Sequence, residues 1–149
     1  MIDKTFLVAA LEEAKKAELE DEVPVGAIIV KDQQIIARSY NQKEQYKDST
    51  CHAEIEAIRQ ASKALNDWRL NGCTLYTTLE PCLMCAGAIL HSRLDKVVFA
   101  AKDIKWGGAG SIVNLFELDG INHKTEAQYY PIEEASSILT SFFREKRKK

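Results

Sequence analysis

The chain has 149 residues, 46% hydrophobic and 28% charged, which is long and apolar enough to bury a core and suits one domain spanning 1–149. A formal charge of −2 excludes a uniformly basic nucleic-acid binder, and no apolar run approaches the ~20 residues that cross a bilayer. The start, Met1-Ile2-Asp3-Lys4, lacks the basic flank and apolar stretch of a secretory signal, so the expectation is a cytoplasmic protein.

From Asp3 to about Glu20 the apolar residues Phe6, Leu7, Ala10, Leu11, Ala14 and Ala17 recur at helical spacing, which predicts an amphipathic helix. Val23 to Val30 is rich in β-branched residues and reads as a buried strand. Lys31-Asp32-Gln33-Gln34 turns the chain, and Ile35 to Ser39 pairs back as a second strand. Asn41 to Ser49 is polar and aperiodic, hence a loop. Asp48, Ser49 and Thr50 are N-cap candidates for a helix striped with Ile55, Ala57, Ile58, Ala61 and Leu65. Asn71-Gly72 marks a turn, Cys73 to Leu79 alternates as a strand, and Pro81 suits the first turn of a helix running to about Ser92.

Leu94 to Ala101 predicts another strand, followed by a glycine-rich loop with Trp106-Gly107-Gly108-Ala109-Gly110. Val113 to Phe116 and Gln128 to Tyr130 read as extended. Glu133 to Lys146 predicts a final helix with Ala135, Ile138, Leu139, Phe142 and Phe143 facing inward. The order implies a sheet layered with helices, an α/β fold. The basic end, Arg144-Glu145-Lys146-Arg147-Lys148-Lys149, is either a phosphate-contacting patch or a solvated, frayed terminus.

Four cysteines are present: Cys51, Cys73, Cys82 and Cys85. Without an export signal, Cys82-x-x-Cys85 is a redox pair or half a metal site rather than part of a disulfide framework. His52 opens one predicted helix and the cysteine pair opens another, so two helix starts can converge on one ion. One imidazole and two thiolates leave a fourth zinc position for water, the composition of a catalytic rather than a structural site. The positive end of a helix favours the thiolates that binding requires. Glu54, two residues from His52, has no use in a structural site but suits a base that takes a proton from activated water. Cys51 is a rival ligand that would close the site. Adjacent residues on a helix end point apart, so it is read as a packing residue.

His52-Ala53-Glu54 and Pro81-Cys82-Leu83-Met84-Cys85 together resemble the zinc-dependent nucleoside and nucleobase deaminases, the cytidine and deoxycytidylate deaminase superfamily. Further stretches resemble its bacterial tRNA-specific adenosine deaminases: Glu22 to Ala27, Asn41, Thr74-Leu75-Tyr76, Leu79 to Ala88, His91-Ser92-Arg93, Gly110-Ser111, Asn122-His123 and Phe142-Phe143-Arg144. The resemblance covers nearly the whole chain. It implies a three-layer α/β/α fold around a five-stranded mixed sheet, a homodimer, one zinc ion per subunit on His52, Cys82 and Cys85, and a tRNA anticodon stem-loop as partner. The implied reaction is hydrolytic deamination of the wobble adenosine to inosine, with water activated by zinc attacking C6 and Glu54 shuttling protons. Asn41 would hold the base, and backbone groups near Ala53 and Leu79 would line the pocket. Asp103, Lys105, Asn122 and His123 would meet the RNA, whose unpaired loop bases can be splayed into a deep pocket without melting a duplex.

The family usually carries Lys-Thr-Gly-Ala-Ala-Gly-Ser where this chain has Lys105-Trp106-Gly107-Gly108-Ala109-Gly110-Ser111, and often alanine at Cys51. Trp106 either stacks on a base or reshapes the pocket mouth. A free-nucleobase deaminase of the guanine or cytosine type would use the same zinc chemistry, but with a closed pocket and no RNA-facing surface. A non-catalytic zinc-bearing subunit would not need Glu54, and a thiol redox protein would leave His52 and Glu54 without a role.

Overall fold

The computed structural model describes residues 2–148. Met1 and Lys149, the outermost residues of the predicted start and of the basic end, lie outside the described residues. Helix α1 spans Lys4–Leu19 and is capped by Asp3, whose carboxylate accepts the Thr5 amide. Strands β1, Gly26–Lys31, and β2, Gln34–Tyr40, form a hairpin, followed by a short helix α2, Lys43–Tyr46, and by α3, Ala53–Leu65. Then come β3, Cys73–Thr77; α4, Leu83–His91; β4, Lys96–Phe99; β5, Glu126–Tyr129; and α5, Glu133–Arg147.

The sheet has five strands in the order β2-β1-β3-β4-β5. The β2/β1/β3 pairs are antiparallel and the β3/β4/β5 pairs parallel, so the sheet is mixed. Side-chain alternation gives it two buried faces. Ala27, Ile29, Leu75 and Val97 pack against Ala53, Ala57 and Ala61 of α3 and Ala86, Ile89 and Leu90 of α4. Ile28, Val30, Tyr76 and Val98 pack against Leu7, Leu11 and Ala14 of α1 and Ala135 of α5. This is the three-layer α/β/α arrangement. Small alanines on α3 let it lie close to the sheet, which brings the starts of α3 and α4 together.

Gly26 shows how tightly α1 sits. A Cβ there would lie 2.0 Å from the Ala10 carbonyl oxygen and 2.5 Å from the Ala14 nitrogen, so only glycine admits this approach.

Several expectations are corrected. The segment 41–49 is not wholly loop, because Glu22 accepts the Glu44 and Gln45 amides at 2.9 and 2.6 Å and so caps α2. None of Asp48, Ser49 and Thr50 caps α3; His52 occupies that position, and Asp48 instead holds the Thr50 amide and hydroxyl. Pro81 precedes α4 rather than sitting in its first turn, and Cys82 is the N-cap. Residues 115–117 form a 3₁₀ turn, with Asn114 accepting the Phe116 amide, where an extended segment was expected. Phe143 is 45% exposed, its ring set edge-on to buried Phe142, because the inward stripe of α5 passes through Ala135 and Phe142. The basic end is helical to Arg147 rather than frayed, with Lys146 paired to Asp21 at 2.6 Å.

Candidate metal centre

At the start of α3, His52 has extended backbone and turns its ring toward α4. At the start of α4, the Cys82 sulfur accepts the Cys85 amide at 3.5 Å, so a thiol stands where an N-cap oxygen usually does. His52 Nδ1 lies 3.6 Å from Cys82 Sγ and 3.5 Å from Cys85 Sγ, and the three donor atoms all fall within 4.8 Å of one another. Zinc bonds of about 2.0–2.1 Å to nitrogen and about 2.3 Å to sulfur, at tetrahedral angles, set nitrogen and sulfur about 3.5–3.6 Å apart. The donor set therefore fits zinc in identity and in spacing. Cys51 does not join it: its buried thiol faces Asp48 and Glu56 at 3.6 and 3.7 Å, as a packing residue would.

The electrostatics of the cluster point the same way. Hydrogen bonding from Cys85 and His52, against the cost of burial, pushes the Cys82 thiol down to about 4, so it is a thiolate at neutral pH. Cys85, bonded to that thiolate and buried, is pushed up and keeps the proton the pair shares. His52 is raised, chiefly by its hydrogen bond to Cys82. Such a pair, one proton short beside an imidazole, is primed to exchange the remaining proton for a cation.

Glu54 lies within the first turn of α3 and is buried. Burial pushes its carboxyl up to about 7, partly offset by the neighbouring His52. A carboxyl in that range accepts and returns a proton at neutral pH with little penalty either way.

Asn41 follows β2 and is buried. Its Nδ2 donates to the Val23 carbonyl at 3.3 Å, while its Oδ1 has no partner. A buried, unpartnered amide oxygen costs free energy unless a ligand meets it. The Ala53 carbonyl accepts the Ser39 hydroxyl at 2.5 Å and the Leu79 carbonyl accepts the Thr77 hydroxyl at 3.2 Å, which fixes both backbone segments near the donor cluster.

The four residues expected to face RNA are less uniform. Lys105 and Asn122 are exposed. The Asp103 carboxylate accepts the Lys105 and Trp106 amides at 3.1 Å each and so shapes its own turn. His123 Nε2 sits 2.8 Å from the Leu94 carbonyl, which Thr125 also donates to at 2.7 Å. Trp106 is 64% exposed at the tip of the glycine-rich loop.

Sequence reasoning gave no role to Glu80 and Glu22, though both fall in stretches that carry the resemblance; they are buried carboxylates that accept backbone amides, Glu22 from α2 and Glu80 from the glycine-rich loop. The available signal was a glutamate placed directly before Pro81-Cys82 and another directly before Val23-Pro24, where nothing local requires charge. Burial works against the Glu80 charge, but hydrogen bonds from Ser111, Asp103 and Ala109 outweigh it and hold the carboxyl below its ordinary range.

A family model described as MafB19-like deaminase matches residues 2–147. The chain is 50% identical to a tRNA-specific adenosine deaminase of Aquifex aeolicus over 142 residues, covering 95% of this chain and 94% of that one. A solved structure from work on A-to-I editing by tRNA:A34 deaminases at the wobble position of transfer RNA matches with a TM-score of 0.88 and 41% identity, over 92% of this chain and 100% of that one. A guanine deaminase structure from Bacillus subtilis matches with a TM-score of 0.67 and 33% identity, over 97% and 95% of the two chains.

Proposed function

The chain belongs to the tRNA-specific adenosine deaminases of the cytidine deaminase superfamily, and from that membership we propose that it converts the wobble adenosine of a tRNA anticodon to inosine with a zinc-activated water and a Glu54 proton shuttle. The observation that carries the mechanism is the convergence of two helix starts, which sets buried Glu54 beside the His52, Cys82 and Cys85 donor cluster. The whole chain acts as one catalytic domain.

His52, Cys82 and Cys85 would hold the zinc. When bound, zinc supplies the Lewis acidity that makes water nucleophilic at neutral pH. Asn41 offers its free Oδ1 and orients the adenine edge. Glu54 takes a proton from the attacking water and passes it to N1 of the ring as the water oxygen bonds to C6. It then takes the remaining proton from the new C6 hydroxyl and delivers it to the amino group as the C6–N bond breaks and the C6 carbonyl forms, so ammonia leaves and inosine remains. Ala53 and Leu79, held by Ser39 and Thr77, form the adjoining backbone walls. Burial of Ala53 and Glu54 keeps bulk water from competing for the shuttled proton.

The partner is an anticodon stem-loop, met by Asp103 and Lys105 on the loop tied to Pro81 and Cys82, and by Asn122 and His123 at the other end of the sheet, where His123 meets the Leu94 carbonyl. The exposed last turn of α5, with Arg144 and Arg147, supports phosphate contact. Among the described residues no helix is long and apolar enough to cross a membrane, and tRNA as substrate implies work in the cytoplasm. Exposed Leu83 and Met84 on α4, with Ile104, Ile112 and Val113 on the loop bridged to Cys82, support a homodimer.

The test is inosine formation in a wobble-adenosine stem-loop RNA by wild type, Glu54→Ala and Asn41→Ala proteins. Loss by about 100-fold or more with Glu54→Ala, zinc content unchanged, is expected. Full activity of that variant would remove Glu54 from the mechanism. For Asn41→Ala a raised KM is expected, and an unaltered KM would remove Asn41 from base binding.

A further inference from the structure

Glu80 lies three residues beyond the end of β3 and two before Cys82, and is 2% exposed. Its two carboxylate oxygens gather one loop. Oε1 accepts the Asp103 amide at 3.1 Å and the Ser111 hydroxyl at 2.5 Å, while Oε2 accepts the Ala109 amide at 3.0 Å and the Ser111 amide at 3.1 Å. The loop is moulded to this carboxylate, for a Cβ on Gly107 would lie 2.2 Å from Oε2. The same loop is tied to the ligand strand itself: the Gly108 amide donates to the Pro81 carbonyl at 2.8 Å, and Gly107 bridges to Cys82. The segment 103–111 has no helix or strand of its own to give it shape.

We propose that Glu80 is a positioning residue that clamps the 103–111 loop to the metal-ligand turn, so that Lys105 and Trp106 meet the RNA at a fixed distance from the reaction centre. The proposal rests on the reading that this loop faces the substrate. Its physical basis is the match between an acceptor-only carboxylate and a ring of donors. Glutamine keeps the shape of the side chain but, whichever way its amide is turned, sets an NH₂ against at least one backbone amide, donor against donor. Hydrogen bonds to a charged group are among the stronger ones, so losing part of the set releases the loop. A released loop weakens capture of the RNA more than it slows a bound adenosine whose contacts are Asn41 and Glu54.

The experiment compares wild type with Glu80→Gln, reading zinc content, amide hydrogen exchange at residues 103, 109 and 111, and the KM and kcat for the stem-loop RNA. Retained zinc, loop amides exchanging about tenfold faster, KM raised about tenfold and kcat lowered by less than about threefold are expected. Unchanged exchange at these amides, or loss of kcat at unchanged KM, would overturn the clamp. If Glu80→Gln does not fold, Ser111→Ala removes only the hydroxyl from the set. A smaller shift in the same direction, faster loop exchange with a KM rise of about threefold, supports the clamp, and no shift overturns it. Should wild type fail to deaminate the RNA, the substrate reading falls, and the exchange result alone decides the clamp.

Discussion

At the scale of single residues, the site separates groups by their protons. Cys82 is a thiolate while Cys51 and Cys73 are held protonated by burial and, for Cys51, by the carboxylates of Asp48 and Glu56. Removing the metal with a chelator should therefore make Cys82 react first with iodoacetamide at neutral pH, with Cys51 and Cys73 unlabelled until the protein unfolds. Mass spectrometry of the labelled chain checks this, and early labelling of Cys51 would contradict the assignment of the nucleophilic thiol. The clustered donor residues were legible because their geometry is local: Cys82 and Cys85 lie three apart at one helix start, and His52 and Glu54 share another. Glu80 was not legible. Its partners lie 23 to 31 residues away in a loop without periodicity, and a buried carboxylate leaves no trace in a pattern built on apolar spacing.

At the scale of elements, position is set by how closely helices approach the sheet. Alanine at Gly26 would drive its methyl group into the α1 backbone, a collision that no rotamer relieves. A loss of about 1–3 kcal/mol or more is expected for Gly26→Ala, read as a lowered thermal midpoint, and a wild-type midpoint would show that α1 can shift. Glu22 binds α2 to the end of α1 through two amides, so Glu22→Gln should loosen the segment beside Asn41 and raise the RNA KM while the zinc content stays constant. Kinetics with metal analysis separate this from loss of the centre. The long elements were readable from periodicity, as α1, α3 and the β1/β2 hairpin show. The helix α2 and the 3₁₀ turn at 115–117 were not: α2 is held by Glu22 and the turn by the Asn114 side chain, both specific hydrogen bonds rather than patterns. Phe143 was misassigned because its neighbour Phe142 already fills the inward position on α5.

At the scale of the molecule, a net charge of −2 must coexist with the proposed RNA substrate, so its binding would depend on local placement of positive charge. Replacing Arg144 and Arg147 by glutamine should raise KM, flatten its dependence on salt and leave kcat near wild type, since each phosphate contact on a single strand contributes about 0.7 to the logarithmic salt slope. An unchanged slope would mean that the end of α5 faces away from the RNA. The layered fold and the metal cluster are compatible with several substrates, as the likeness to a guanine deaminase illustrates, and the choice among them lies in the loops around the centre. The most direct measurement incubates the zinc-loaded protein with a wobble-adenosine anticodon stem-loop and, in parallel, with free adenosine, guanine and cytosine. Inosine in the RNA alone is the predicted result, whereas turnover of a free base with the RNA untouched would contradict the assigned substrate and leave only the zinc chemistry standing.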